Sequence, residues 1–549
     1  MTPTNVQLKE ENATLRALLL ASQEVIATRE KELQALITAH EKERQALLGR
    51  IDKLSESVEH LTRKLYGSSS EKLPMHGQLV MDEVARLFNE VEMVEEEELS
   101  EAYTAPKRRK TKKGHKLTDV FGALQPVDVI HRLSDEERCC TTCGHELSVL
   151  GIRHNRFEVE FIPAKVNLLD IQQETCTCPN CSKERGETVF VEPHVPEPVI
   201  QHSYASPSSV AHVMYQKYVQ ALPLDRQVKD WKAMGVTLDR GTLSSWVNKA
   251  THEWLLPLMV EFKQKLDVEP VLHADETPVQ VLREPDRPNE AKSYMWVLAN
   301  GSEAHHPIRY FEYGPGRGQS VAERLLLDFK GYLVTDDYSG YNRLPHATRC
   351  SCWAHVRRKF EAVSRLKREK GTTGIADRAL RFIGDLFMLE RTLSVMTADE
   401  RREARLKEAV PLLQDFWSFV EENAPQVLPR TMLGNAFQYA INNRSRLMTF
   451  LEDGRIPITN ERAENAIRPF AVGRKNWLFA GSPTGAITSA CVYSLVETAK
   501  ANALDPFLYL RTLFEEIPGS DYRSNSDTME RLMPWSDFMQ ARCAANAPR

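Results

Sequence analysis

Asp275, Asp336 and Glu464 are the residues whose type and setting could do chemistry: each aspartate interrupts or ends an apolar, β-branched run, and the glutamate opens a helix-forming segment. Brought together, two aspartates and a glutamate hold two hard divalent ions ~3.5–4 Å apart, activating a water or a 3′-hydroxyl for in-line attack on a phosphodiester. Arg468, Arg474 and Lys475 follow the glutamate closely and are placed to bind phosphate or balance charge. Each acid alone has a plainer reading. Asp275 and its neighbour Glu276 also suit the turn of an edge hairpin, and Glu464 also suits a solvated helix face. Glu461 and Glu497 are further candidates for the third carboxylate.

The second chemistry is that of thiolates. Six of the ten cysteines fall between Cys139 and Cys181, arranged as Cys140-x-x-Cys143-Gly and Cys178-Pro-x-Cys181. Two such knuckles present four sulfurs at the tight turns that ligation at ~2.3 Å requires, and a four-thiolate zinc site leaves no open position for catalysis. The expectation is a structural zinc ribbon, with Cys176 as the substitute ligand and a redox pair as the alternative. A third signal is the run KRRKTKKGHK, which opens with Lys107, Arg108, Arg109 and Lys110 and has seven Lys or Arg in ten residues. It is a solvated segment able to neutralise DNA phosphates, or to satisfy the acidic run Glu95–Glu98 just before it.

The elements that must position the acids can be read from the pattern. VEPVLHADETPVQVL (268–282) reads as a strand carrying Asp275. KSYMWVLANGS and IRYFEYGPGR supply two antiparallel strands, Ser320–Phe329 a helix, GYLVTDDYSGY a fourth strand ending on Asp336, and ATRCSCWAHVRRKF a fifth short strand and a basic helix. That succession is the order of a ribonuclease-H-like fold, which sets the first strand beside the fourth. A helical insertion over about 362–457 follows, and the chain returns with ITNERAENAIRPFAVGRKNWLFAGS, where Asn460 is expected to cap the helix bearing Glu464.

Upstream, Leu47, Ile51, Leu54, Val58, Leu61 and Leu65 alternate in steps of four and three, the seam of a coiled coil that favours a parallel homodimer. The alternative is an amphipathic helix folded back on its own protein. PLDRQVKDWKAMGVTLDRGTLSSWVNK reads as helix, glycine turn and helix. Its second helix, with Arg240, Thr242 and Ser245, matches the recognition helix of a helix-turn-helix or the second arm of any helical hairpin.

The whole is expected to be a multidomain α+β protein. It comprises a coiled coil (1–66), a charged linker (67–120), a zinc ribbon (121–195) and a helix-turn-helix-like helical domain (196–266). A ribonuclease-H-like α/β core (267–482) and a C-terminal helical region (483–549) complete it. At 549 residues, 42% hydrophobic and 27% charged, the chain is too long for a single core, and no window has the ~20 uncharged apolar residues of a membrane span, which places it in the cytoplasm. The formal net charge of −5 does not by itself announce a nucleic-acid binder.

HADETP, TDDYSGYN, CWAHVRRKF, ERAENAIRPFAVGRKNWLFAGS and SLVETAKANALDPFLYL, with KLYGSSSEKL and LMPW, resemble the transposase of the bacterial insertion-sequence 66 family, a DDE-type enzyme. The resemblance implies a catalytic triad of Asp275, Asp336 and Glu464 with Mg2+ or Mn2+. It also implies cut-and-join chemistry on the element's own terminal repeats, and companion proteins encoded by the same element. It departs around the glutamate, where Thr459, Asn460 and Glu461 precede and Asn465 follows. A catalytically inactive, transposase-derived DNA-binding protein is therefore the alternative, and a general nuclease the third reading.

Overall fold

The computed structural model describes residues 29, 166–174, 176–177, 190–191, 194–368 and 374–545. The expected coiled coil, the basic run from Lys107 and the cysteines Cys140, Cys143, Cys178 and Cys181 lie outside these residues. Within them the protein is a mixed α/β structure with helices in the majority. A two-residue ladder, Cys176–Thr177 against Phe190–Val191, precedes the main body.

Helix α1 (Pro207–Tyr218) starts where its sequence provides a stop for the preceding chain. Ser206 accepts from the Ser209 amide and Ser209 returns the bond, with proline in the first turn. Helices α2 (Leu224–Ala233) and α3 (Arg240–Ala250) form the expected hairpin. Gly235 turns the chain with φ of +89°, and Asp239 caps α3 by accepting from the Thr242 amide at 2.7 Å. Trp231 and Trp246 meet edge to face and bury the seam between the two helices. A π-helical segment then leads into α4 (Leu256–Asp267).

One sheet organises the rest. Strands β1 (Val271–Val281), β2 (Lys292–Asn300) and β3 (Arg309–Gly314) form an antiparallel meander. After α5 (Gln319–Leu325), strands β4 (Tyr332–Thr335) and β5 (Thr348–Ser351) run parallel to β1 on its other side, giving the order β3-β2-β1-β4-β5. Strand β1 is therefore central and buried on both faces, so the edge-hairpin reading of Asp275 and Glu276 does not hold. The strand also starts later than its alternation implied. Val268 is exposed and Pro270, lacking an N–H, stays outside the ladder.

Helix α6 (Trp353–Arg368) leaves β5 and opens a helical unit of α7 (Ile375–Leu393), α8 (Ala398–Ala404), α9 (Val410–Asn423) and α10 (Met432–Met448). That unit builds an apolar core around Trp353, Phe416, Trp417 and Phe437 and packs it against Val271, Val334 and Cys350 of the sheet. The chain re-enters the sheet through α11 (Glu461–Trp477) and the short strand β6 (Phe479–Ala480), which pairs parallel with the end of β1. Helices α12 (Pro483–Ala501) and α13 (Pro506–Glu516) follow, then α14 (Ser526–Arg531) and α15 (Asp537–Cys543). Helix α12 is buried along nearly its whole length, and its Ser494 and Thr498 hydroxyls bond the backbone of β3. The first three helices, the sheet and the C-terminal helices share one core.

Candidate active site

The parallel register fixes the first two acids. Val271, Leu272 and His273 pair with Tyr332, Leu333 and Val334, and two more residues along that register set Asp275 across from Asp336, just beyond the end of β4. Asp336 is held there from several sides. Its Oδ1 accepts from the Tyr338 amide at 2.9 Å, and its carbonyl accepts from Arg349 at 2.7 Å and from the Thr335 hydroxyl at 2.8 Å. The neighbouring Asp337 turns instead to Arg446 of α10, at 3.4 Å.

Glu464 comes from α11, and that helix is tied at both ends to the strand bearing Asp275. At its start, the Asn460 amide donates to the Ala274 carbonyl at 2.9 Å and its Oδ1 meets His273 Nδ1 at 3.1 Å. At its end, Phe479 pairs with Gln280. A 17-residue helix is about 25 Å long, close to the ~20 Å of strand from Ala274 to Gln280, so the two run alongside. Asn460 occupies the cap position but makes no side-chain cap, contrary to the expectation from sequence. The buried Ala274 carbonyl and His273 imidazole claim its side-chain amide instead.

The electrostatics follow from this convergence. Burial pushes the Asp275 carboxyl well above the ordinary carboxylate range, and the nearby charges of Glu276, Asp336 and Glu464 push it further, against one opposing bond from the Glu276 amide at 2.8 Å. Glu276 is also raised by burial, offset by Tyr341, which donates at 2.5 Å, and by Arg317 at 2.6 Å. Arg317 lies 3.8 Å from Asp336 as well and stacks over Tyr338. His273 is fully buried and lowered to about 3, so it is neutral. Glu464 accepts from Arg358 of α6 at 2.5 Å, with His355 Nδ1 at 3.9 Å, and its Oε1 is buried without a hydrogen-bond partner.

These carboxylates offer hard oxygens whose negative charges raise the Asp275 carboxyl, the kind of donor that suits a divalent cation such as magnesium or manganese. Of the other glutamates, Glu461 lies exposed in the first turn of α11, and Glu497 pairs with Lys500 on α12 at 2.7 Å. Neither joins Asp275.

The phosphate-binding candidates disperse. Arg240 is exposed at the start of α3, 3.6 Å from Asp225, with Thr242 and Ser245 half-buried beyond it. Arg468 is exposed on α11, Lys475 is half-buried, and Arg474 is turned inward to donate to the Pro278 carbonyl. Reasoning from sequence missed Arg317, Tyr341, Arg349 and Arg358. Only Arg358 carried a signal, the basic helix after CWAH.

Residues 202–488 match the transposase IS66 family, residues 494–535 its C-terminal element, and residues 137–182 the zinc-finger binding domain of transposase IS66. Relatives include three proteins of Sinorhizobium fredii that carry no assigned activity. Uncharacterized protein y4qI is 28% identical, over 96% of this chain and 97% of its own. Uncharacterized protein y4hP is 27% identical over 88% of each chain, and uncharacterized protein y4jD is 26% identical over 75% of this chain and 80% of its own.

Proposed function

Because the chain belongs to the IS66 family of transposases, we propose that it cuts and joins DNA at the ends of an insertion sequence, with Asp275, Asp336 and Glu464 as the acids of its reacting centre. The observation that carries this reading is the parallel register that sets Asp275 across from Asp336, with α11 tied along the same strand to bring up Glu464. The strand order β3-β2-β1-β4-β5 supports a ribonuclease-H-like core. Mg2+ or Mn2+ bound by the three acids supplies activation of the attacking oxygen and stabilisation of the leaving one.

The chain's own residues do the positioning. Asn460 and the β1–β6 pairing fix the line of α11, Arg349 and the Tyr338 amide fix Asp336, and Arg317 neutralises Glu276 behind them. Arg358 holds Glu464, and a guanidinium of this kind can bind a phosphate in place of a carboxylate. The family match over 137–182 supports zinc in the cysteine knuckles. In this reading the N-terminal segment dimerises as a coiled coil, the basic run and α3 contact DNA, and companion proteins of the element take part. The same Arg358–Glu464 pair favours the second reading, a DNA-binding protein that has lost catalysis, if the arginine never releases the glutamate.

Metal-dependent cleavage of a labelled duplex bearing the element's ends tests both. Wild type should make specific cuts, and Asp336→Ala and Glu464→Gln should lose at least ~100-fold of that activity while binding the ends nearly as well. Cutting by Asp336→Ala at the wild-type rate would remove the assignment, and binding without cutting by the wild type would favour the second reading.

A further inference from the structure

Cys352 and His355 stand beside the carboxylates, and no step above uses them. Cys352 immediately precedes α6 and His355 lies in its first turn, a C-x-x-H spacing that points both toward Glu464. One ligand atom from each of Cys352, His355 and Glu464 lies within 4.8 Å of the others, and His355 Nδ1 is 3.9 Å from Glu464 Oε1. Ligands of a tetrahedral cation with bonds of ~2.0–2.3 Å stand ~3.3–3.7 Å apart, so side-chain shifts of about 1 Å close the set.

Three features distinguish this cluster from a chance grouping. The Cys352 sulfur accepts the Asn460 backbone N–H at 3.2 Å and also the backbone N–H groups of Ala354 and His355, which offset part of the burial that pushes the free thiol up to about 11. His355 Nδ1 and Glu464 Oε1 are both buried with no hydrogen-bond partner, an unfavourable condition unless something fills the gap. Finally, Cys352 is fully buried whereas His355 and Glu464 keep 25% and 23% of their side chains exposed, which provides a way in. Arg358 and Lys359, on the same helix, are the cations that act on His355. Arg358 bonds the other oxygen, Glu464 Oε2, and also meets His355 Nε2 at 3.3 Å, from a side chain that is 54% exposed, so an ion in the cluster takes the place of this guanidinium.

We propose that Cys352, His355 and Glu464 form a further cation site, taking a thiophilic divalent ion of the zinc class with water as fourth ligand. Thiolate, imidazole and carboxylate together select such an ion over magnesium. Binding releases the Cys352 proton to solvent, and the ion takes Glu464 as a shared ligand, so occupancy competes with its place beside Asp275. The site stands on its own ligands and does not need the phosphodiester reading.

Cobalt reports it. The full chain, given a single equivalent of Zn2+ so that the tighter four-thiolate knuckles fill and the Cys352 site stays open, is titrated with Co2+ and followed by absorption. Wild type should gain a near-ultraviolet thiolate-to-cobalt band of single-thiolate intensity, roughly a quarter of that of a four-thiolate site. Cys352→Ser should lose it, His355→Gln should weaken Co2+ binding by at least ~10-fold, and Asp275→Asn should leave it unchanged. Absence of the band in wild type, or its survival in Cys352→Ser, overturns the site. If Cys352→Ser does not fold by circular dichroism, the His355→Gln affinity decides, and an unchanged Co2+ Kd overturns it. Loss of DNA cleavage in Asp275→Asn with the band intact separates this outcome from any failure of the three-acid assignment.

Discussion

Asn460 shows how a single polar residue can set a site without touching substrate. Its side chain is buried, it spans from α11 to the His273 imidazole and the Ala274 carbonyl, and its backbone N–H serves the Cys352 sulfur. Truncation to alanine leaves the Ala274 carbonyl and the His273 ring without their partner, while the backbone bond survives. Asn460→Ala should therefore cost about 1–3 kcal/mol of stability, read as a lowered denaturant midpoint for the core. It should also reduce cleavage more than it reduces DNA binding, because Glu464 loses its fixed approach to Asp275. Equal cleavage rates for the variant and wild type would mean that the β1–β6 pairing alone holds α11 in line.

At the scale of elements, the helical unit between β5 and α11 hangs on Arg405. This guanidinium is buried, forks onto Glu390 at 2.7 and 2.8 Å, and reaches the carbonyls of Phe450 and Asp453 at 2.8 and 3.1 Å. Arg405→Ala strands Glu390 and two carbonyls, a loss of about 3–5 kcal/mol. Hydrogen exchange should lose protection across α7 to α10 first, with β1 to β4 still protected. Simultaneous loss everywhere would show that the two apolar cores open as one unit. The order of these elements was legible in the sequence, because strands two-sided in burial read as apolar runs and the acids interrupt or end them. Their limits were less so. The helix expected over Ser320–Phe329 ends at Leu325, since Leu326 and Phe329 turn into the core. The acids themselves were legible as carboxylates on strand and helix. Arg317, Tyr341, Arg349 and Arg358 were not, because each reaches the site across tertiary contacts that no local periodicity encodes. The cap expected of Asn460 failed for the same reason: a buried imidazole and carbonyl, distant in sequence, outcompete the local amide.

For the whole molecule, the formal net charge of −5 opposes DNA at long range, so phosphate contacts must come from local concentrations of positive charge. Family membership implies DNA binding, and the densest such concentration is the run opened by Lys107, Arg108, Arg109 and Lys110, outside the described residues. Arg474, by contrast, is committed to the Pro278 carbonyl and is not a freely presented charge. Each phosphate neutralised adds ~0.9 to the slope of log affinity against log salt. Replacing Lys107, Arg108, Arg109 and Lys110 together by serine should therefore lower that slope by up to ~3–4, and weaken binding equally for element ends and unrelated duplexes. The ratio of affinities for the two DNAs should stay within about twofold, since phosphate contacts carry no sequence information. An unchanged slope would place the phosphate contacts on the folded body, with exposed Arg240 and Arg468 as the first residues to substitute next. A lowered slope accompanied by a collapse of the affinity ratio would instead make the basic run part of end recognition, through a minor-groove contact rather than through charge alone.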